Sequence, residues 1–120
     1  MNTPPKRILV VDDNDAIREI VSDALSLYGY EVLTARNGEE ALEAAGQKPS
    51  LILLDLMMPG LDGPSVSRRL AEQGCFAPVV VVTADRTGAA RAKEMGAVAF
   101  LAKPFDLDGL LATIERVLGG

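Results

Sequence analysis

Four short apolar runs in this chain, at 8–11, 51–54, 79–82 and 98–101, each lead into a residue able to do chemistry. Asp12 and Asp13 follow the first run, Asp55 the second and Thr83 the third, and Lys103 lies just beyond the fourth. Three carboxylates brought together repel one another, which raises a pKa or costs stability unless a cation stands between them. An all-oxygen set with room for water suits Mg²⁺, whereas zinc would want His or further Cys. The chain has no His and a single Cys75, so Ser-His-Asp, Cys-His and His-zinc chemistries are excluded within it. A carboxylate can instead attack phosphorus and form an aspartyl phosphate. The transferring group spreads charge over its equatorial oxygens, which calls for a metal, a cation such as Lys103 and a hydroxyl donor such as Thr83. Singly, each residue also has an ordinary explanation as a turn former, a strand residue or a solvated charge. Their recurrence at successive run ends is what points to a site.

For these residues to meet, the runs must be neighbouring strands. The runs at 8–11, 51–54 and 79–82 are too short for helices and uniformly apolar, as expected of strands buried on both faces of a parallel sheet. Two weaker strands are expected at 30–35 and 98–101, and Glu31 and Thr34 give the first the polarity of an edge strand. Between strands the period changes. Ile17, Ile20, Val21, Ala24, Leu25 and Tyr28 follow the spacing of one helical face, which Gly29 stops. Further helices are expected over 39–45, 64–72, 88–95 and 107–118, the last with an apolar stripe of Leu107, Leu110, Leu111, Ile114 and Leu118 capped by Asp106 or Asp108.

Alternating strands and helices give an α/β fold, a doubly wound five-stranded parallel sheet with five helices. The common strand order for such a chain is 2-1-3-4-5, with ligands bound beyond the carboxyl ends of the strands where the order reverses. All five candidate residues then converge on that rim.

Composition narrows the class further. The 120 residues fit one domain, with no linker or low-complexity segment. The net charge of −5 and the lack of clustered Lys and Arg argue against nucleic acid as a partner. No apolar run approaches the ~20 residues of a membrane span, and the first residues lack the apolar core of a signal peptide. The expectation is a cytoplasmic protein with no membrane partner.

Val-Val-Asp-Asp at 10–13, Leu-Leu-Asp-Leu-Met-Met-Pro-Gly-Leu-Asp-Gly at 53–63, Val-Val-Thr-Ala at 81–84 and Lys-Pro-Phe at 103–105 together resemble the response-regulator receiver family of two-component signalling. Any one motif is weak, but the four in this order are specific. The resemblance covers the chain from Arg7 onward, leaving 1–6 as a tail and 7–120 as a single receiver domain. It implies that Asp55 is the phosphoacceptor, taking a phosphoryl group from a phosphohistidine of a sensor histidine kinase or histidine phosphotransfer protein. It further implies that Asp13, Asp55 and the backbone carbonyl of Met57 ligate Mg²⁺, with Asp12 acting through an intervening water. Thr83 with Ala84, Lys103 and the aromatic Phe100 would form the phosphate-binding and switch set, and the Lys103-Pro104 peptide would be cis. Such a protein is a switch rather than an enzyme, limited to self-catalysed phosphoryl transfer and slow autodephosphorylation. Its output is an effector protein, a fused domain or a phosphorylation-dependent dimer.

Phe100 also fits ordinary core, since aromatics are common on strands. Met57 and Asp85, two residues beyond Asp55 and Thr83, occupy positions that modulate dephosphorylation in the family. A haloacid-dehalogenase-type phosphatase also uses a strand-end Asp, Mg²⁺, Thr and Lys, but places a second Asp where Met57 stands. Dinucleotide binding is disfavoured because Asp12-Asp13-Asn14-Asp15 replaces a glycine-rich loop. A phosphorylation-independent pseudo-receiver used for interaction alone is the strongest alternative, and retention of all five site residues counts against it.

Overall fold

The computed structural model describes residues 5–58 and 63–119. Residues 1–4 of the expected tail and 59–62 of the second motif lie outside the described residues. The strands are β1 (Arg7–Val11), β2 (Glu31–Ala35), β3 (Leu51–Leu54), β4 (Val79–Thr83) and β5 (Ala99–Ala102). They alternate with helices α1 (Asp15–Leu27), α2 (Gly38–Ala44), α3 (Gly63–Glu72), α4 (Gly88–Glu94) and α5 (Leu107–Val117), and a single 3-10 turn, Ala45–Gln47, follows α2. All neighbouring strands pair in parallel, in the order β2-β1-β3-β4-β5. The expected topology and elements are therefore present, with bounds differing by a residue or so at their ends.

Alternation along the strands divides the core in two. Leu9, Val11, Ile52, Leu54 and Val81 face α2, α3 and α4, meeting Leu42, Val66, Leu70 and Ala92. Ile8, Val10, Leu53, Val80 and Val82 face the other way onto Val21 and Leu25 of α1 and Leu110 and Ile114 of α5. Leu25, Leu110 and Ile114 are wholly buried, and each stabilises the fold by about 1.5–3 kcal/mol relative to exposure. The central runs are uniformly apolar because both of their faces are covered. The edge strand β2 is partly exposed, in keeping with Glu31 and Thr34.

The helix ends follow local chemistry. Asn14 caps α1 by accepting from the Ile17 N–H at 3.0 Å, and Asp106 caps α5 by accepting from the Gly109 N–H at 2.6 Å. Gly29, at φ 90°, turns the chain out of α1, with the Tyr30 N–H bonded to the Leu25 carbonyl at 3.1 Å. A left-handed residue at this position favours glycine.

The apolar stripe expected on α1 is narrower than its spacing implies. Val21 and Leu25 are buried, but Ile20 is 56% and Tyr28 66% exposed. Tyr28 lies beyond the last helical residue, so the helical period no longer directs it inward. Ile20 borders an open groove with Pro104, Phe105 and Leu107. Leu107, the first residue of α5, is likewise 37% exposed.

Candidate phosphoacceptor site

The parallel register brings the ends of β1 and β3 side by side, Val11 pairing with Leu54, so Asp12 and Asp55 emerge as neighbours. Their backbones continue the ladder: the Asp12 N–H donates to the Ala35 carbonyl at 3.1 Å and the Asp55 N–H to the Val11 carbonyl at 3.0 Å. Each carboxylate then accepts a bond from the loop just beyond it, Asp12 Oδ1 from the Asn14 N–H and Asp55 Oδ1 from the Met57 N–H, both at 2.9 Å. Sequence reasoning gave Met57 a role through its carbonyl. In the structure it is the Met57 N–H that holds the carboxylate, a contact that no side-chain pattern encodes. Its side chain is 55% exposed.

Lys103 arrives from the far side of the sheet. Its N–H donates to the Thr83 carbonyl at 3.0 Å, and its ammonium reaches Asp12 Oδ2 at 2.7 Å and Asp55 Oδ2 at 2.8 Å. Burial alone would lower the Lys103 pKa, but the bonds and charges of Asp12 and Asp55 outweigh it and the ammonium is held above its ordinary value. The Lys103-Pro104 peptide is cis, as expected. Asp12 and Asp55 are each 5% exposed and Thr83 is fully buried, so three of the few buried polar residues among those described lie at one rim.

Asp13 is exposed, yet Asp12, Asp13 and Asp55 each place a carboxylate oxygen within 4.8 Å of the others'. This all-oxygen set fits a hard divalent cation. A single ammonium does not balance three carboxylates, and a cation of charge two would remove the excess.

Thr83 Oγ1 accepts from the Asp85 N–H at 3.2 Å. Asp85 belongs to a second cluster, accepting from the Thr87 N–H at 2.9 Å, the Thr87 hydroxyl at 2.8 Å and Arg91 Nη1 at 2.9 Å. The Thr87 bonds chiefly, then Arg91, hold its carboxyl below the usual carboxylate range. Ala84 is exposed and lines the groove beside Lys103. Phe100 is partly buried and packs on the core under α4, facing the same side of the sheet as Thr83. Its packing is that of a core contact.

Two contacts were not foreseen. Arg18 Nη1 donates to the Asp12 carbonyl at 2.8 Å, bracing the loop between β1 and α1. Gly88 stands where an added Cβ would collide with Thr83 and Phe100. A glycine opening an otherwise alanine-rich helix was the one visible signal.

Comparison with known proteins agrees with this geometry. A family model described as the response regulator receiver domain matches residues 8–115. The response regulator MprA of Mycolicibacterium vanbaalenii is 44% identical over 117 residues, covering 95% of this chain and 51% of the relative. That of Mycobacterium leprae is 44% identical over 115 residues, covering 93% and 50% respectively. The chain thus spans about half the length of these relatives. Among solved structures, the chemotaxis protein CheY4 of Vibrio cholerae superposes with a TM-score of 0.84 at 34% identity, covering 94% of this chain and 98% of that one. The response regulator TrrA of Thermotoga maritima, solved in complex with Mg²⁺ and BeF, gives a TM-score of 0.81 at 34% identity, covering 93% and 98%. A family match over nearly the whole described fold, joined to an acidic rim at the switch point of the sheet, shows that this chain belongs to the response regulator receiver domain family of two-component systems.

Proposed function

We propose that this receiver domain is a phosphorylation switch whose phosphoacceptor is Asp55. The observation that carries the proposal is a buried carboxylate at the end of the central strand, held by the Met57 N–H on one oxygen and by Lys103 on the other. Those contacts fix its direction while leaving lone pairs on each oxygen.

The donor is a phosphohistidine on a sensor kinase or phosphotransfer protein. As an Asp55 oxygen bonds to phosphorus, the phosphorus–nitrogen bond of the donor breaks and the imidazole leaves. Asp13, Asp55 and the Met57 carbonyl would hold Mg²⁺, with Asp12 alongside, and the bound ion would neutralise charge on the phosphoryl oxygens. Lys103, already 2.8 Å from Asp55, moves its ammonium to a phosphoryl oxygen. The Thr83 hydroxyl gives up the Asp85 N–H and donates to another. Each contact exists only in the phosphorylated state, and it is such differential contacts that shift a conformational population. Phe100, under α4, follows Thr83, and the face of α4, β5 and α5 reports the change to an effector, a fused domain or a second copy. The chain turns over no substrate beyond its own phosphorylation and slow autodephosphorylation. Its partners are proteins of a cytoplasmic phosphorelay and not nucleic acid.

Incubation with acetyl phosphate and Mg²⁺, followed by intact mass measurement, tests this. Wild type should gain one phosphoryl group, and Asp55→Asn or wild type in excess chelator should gain none. Equal labelling of Asp55→Asn would remove Asp55 from the role, and an unlabelled wild type that also fails to bind Mg²⁺ would leave the pseudo-receiver.

A further inference from the structure

Gly88, the first residue of α4, is buried against the sheet. A Cβ at this position would stand 2.5 Å from Thr83 Cγ2, 2.7 Å from Phe100 Cε1 and 3.1 Å from Phe100 Cζ. Ordinary carbon–carbon contacts lie at about 3.5–4.0 Å, so no side chain fits while those groups stay in place. The backbone of Gly88 is not left-handed, and glycine is a poor helix residue. Space, rather than backbone freedom, is therefore what glycine provides here.

The niche above Gly88 is shared by the two residues assigned to the switch. Thr83 is wholly buried, with its methyl in the niche and its hydroxyl on the Asp85 N–H at 3.2 Å. A threonine side chain moves between staggered wells about χ1, and its methyl and hydroxyl turn together. The methyl seated against Gly88 thus goes with the hydroxyl that accepts from the Asp85 N–H. Turning the hydroxyl toward Asp55 empties the niche. The same added Cβ would also meet the Phe100 ring edge.

We infer that Gly88 is a positioning residue for the switch, its missing side chain stabilising the Thr83 rotamer of the unphosphorylated state and so setting the free energy needed to reach the phosphorylated one. The inference rests on Thr83 being the residue that answers the phosphoryl group. A methyl added at 88 penalises the resting rotamer and is relieved when Thr83 turns, so it should favour the switched state before any ligand binds.

The test uses the 120-residue chain, labelled with ¹³C at threonine methyls and titrated with beryllofluoride and Mg²⁺ as a phosphoryl mimic. Gly88→Ala should bind the mimic at least about threefold more tightly than wild type, because part of the conformational shift is already made. Its Thr83 methyl resonance, before ligand is added, should lie displaced toward the bound position. In the Thr83→Ser background, which removes the clashing methyl and keeps the hydroxyl, the same substitution should have a much smaller effect. A structural role alone would change thermal stability equally in both backgrounds and leave the affinity ratio unmoved. Unchanged or weaker binding by Gly88→Ala, or an equal effect in both backgrounds, overturns the inference while wild-type binding leaves the phosphoacceptor reading standing. Absence of binding by wild type removes both. Should Gly88→Ala fail to fold, it is combined with Phe100→Leu, which withdraws the ring edge and leaves the contact with the Thr83 methyl: relative to Phe100→Leu alone the pair should bind more tightly, and unaltered affinity overturns the inference.

Discussion

Two clusters of carboxylate and cation sit at neighbouring strand ends and differ in how their charge is settled. After β4, Asp85 is satisfied by the Thr87 N–H and hydroxyl of its own loop and by Arg91 of the helix that follows. At the ends of β1 and β3, three carboxylates share one ammonium, and two of them are buried. The first cluster is closed and holds a loop in shape. The second carries an excess of negative charge in a place where water screens poorly, and binding a cation relieves it. Acidic residues alone do not make a site; an imbalance held by the fold does.

The largest effect should come from tipping the imbalance further. Lys103→Met leaves Asp12 and Asp55 facing each other without their shared cation, and should lower stability by about 2–4 kcal/mol in chelator, since removing one partner of a buried ion pair is costly. Millimolar Mg²⁺ should restore part of the loss, as read by denaturant unfolding with and without the ion. If Mg²⁺ restores nothing, the cluster is not a cation site.

Tipping it the other way should be milder. Asp13→Asn removes one exposed charge, so stability in chelator should hold or rise slightly, while Mg²⁺ affinity falls by roughly tenfold, about 1.4 kcal/mol. Calorimetric titration measures the second. An unchanged affinity would place the ion elsewhere.

The closed cluster should respond least. Arg91→Ala should cost far less stability than Lys103→Met, because its partner is partly exposed and keeps both Thr87 bonds, and Mg²⁺ affinity should not change. The pH dependence has a definite sign. Asp85 is held below its ordinary value, so its contribution is fully present above the unfolded carboxylate pKa of about 4 and is lost as pH falls through the lower folded value. The small difference between wild type and Arg91→Ala, followed by thermal unfolding, should therefore fade in acid. A difference that grows in acid would contradict the assigned contacts.

How legible each cluster was depends on what encodes it. The fold could be read because both-face burial makes β1, β3 and β4 uniformly apolar, and the rim because parallel order sends Asp12, Asp55, Thr83 and Lys103 to one end. The shape of the charge network could not. That Lys103 bridges Asp12 and Asp55, and that the Asn14 and Met57 N–H groups orient them, are facts of loop backbone and side-chain reach without a residue pattern. Arg91 lies six residues from Asp85, across the turn into α4, and Arg18 binds a carbonyl, so neither pairing shows as a motif. The exposure of Ile20 was hidden for the opposite reason: helical spacing reports which residues share a face, not how much of that face a neighbour covers.

With Asp55 as the proposed phosphoacceptor, phosphoryl transfer ends on it and on no other carboxylate of the rim. Borohydride reduces an acyl phosphate and converts the aspartate that carried it to homoserine, which peptide mass spectrometry can locate. After acetyl phosphate and Mg²⁺, the account predicts homoserine at position 55 and unmodified Asp12 and Asp13. Homoserine at position 12 or 13, with Asp55 unmodified, would contradict it.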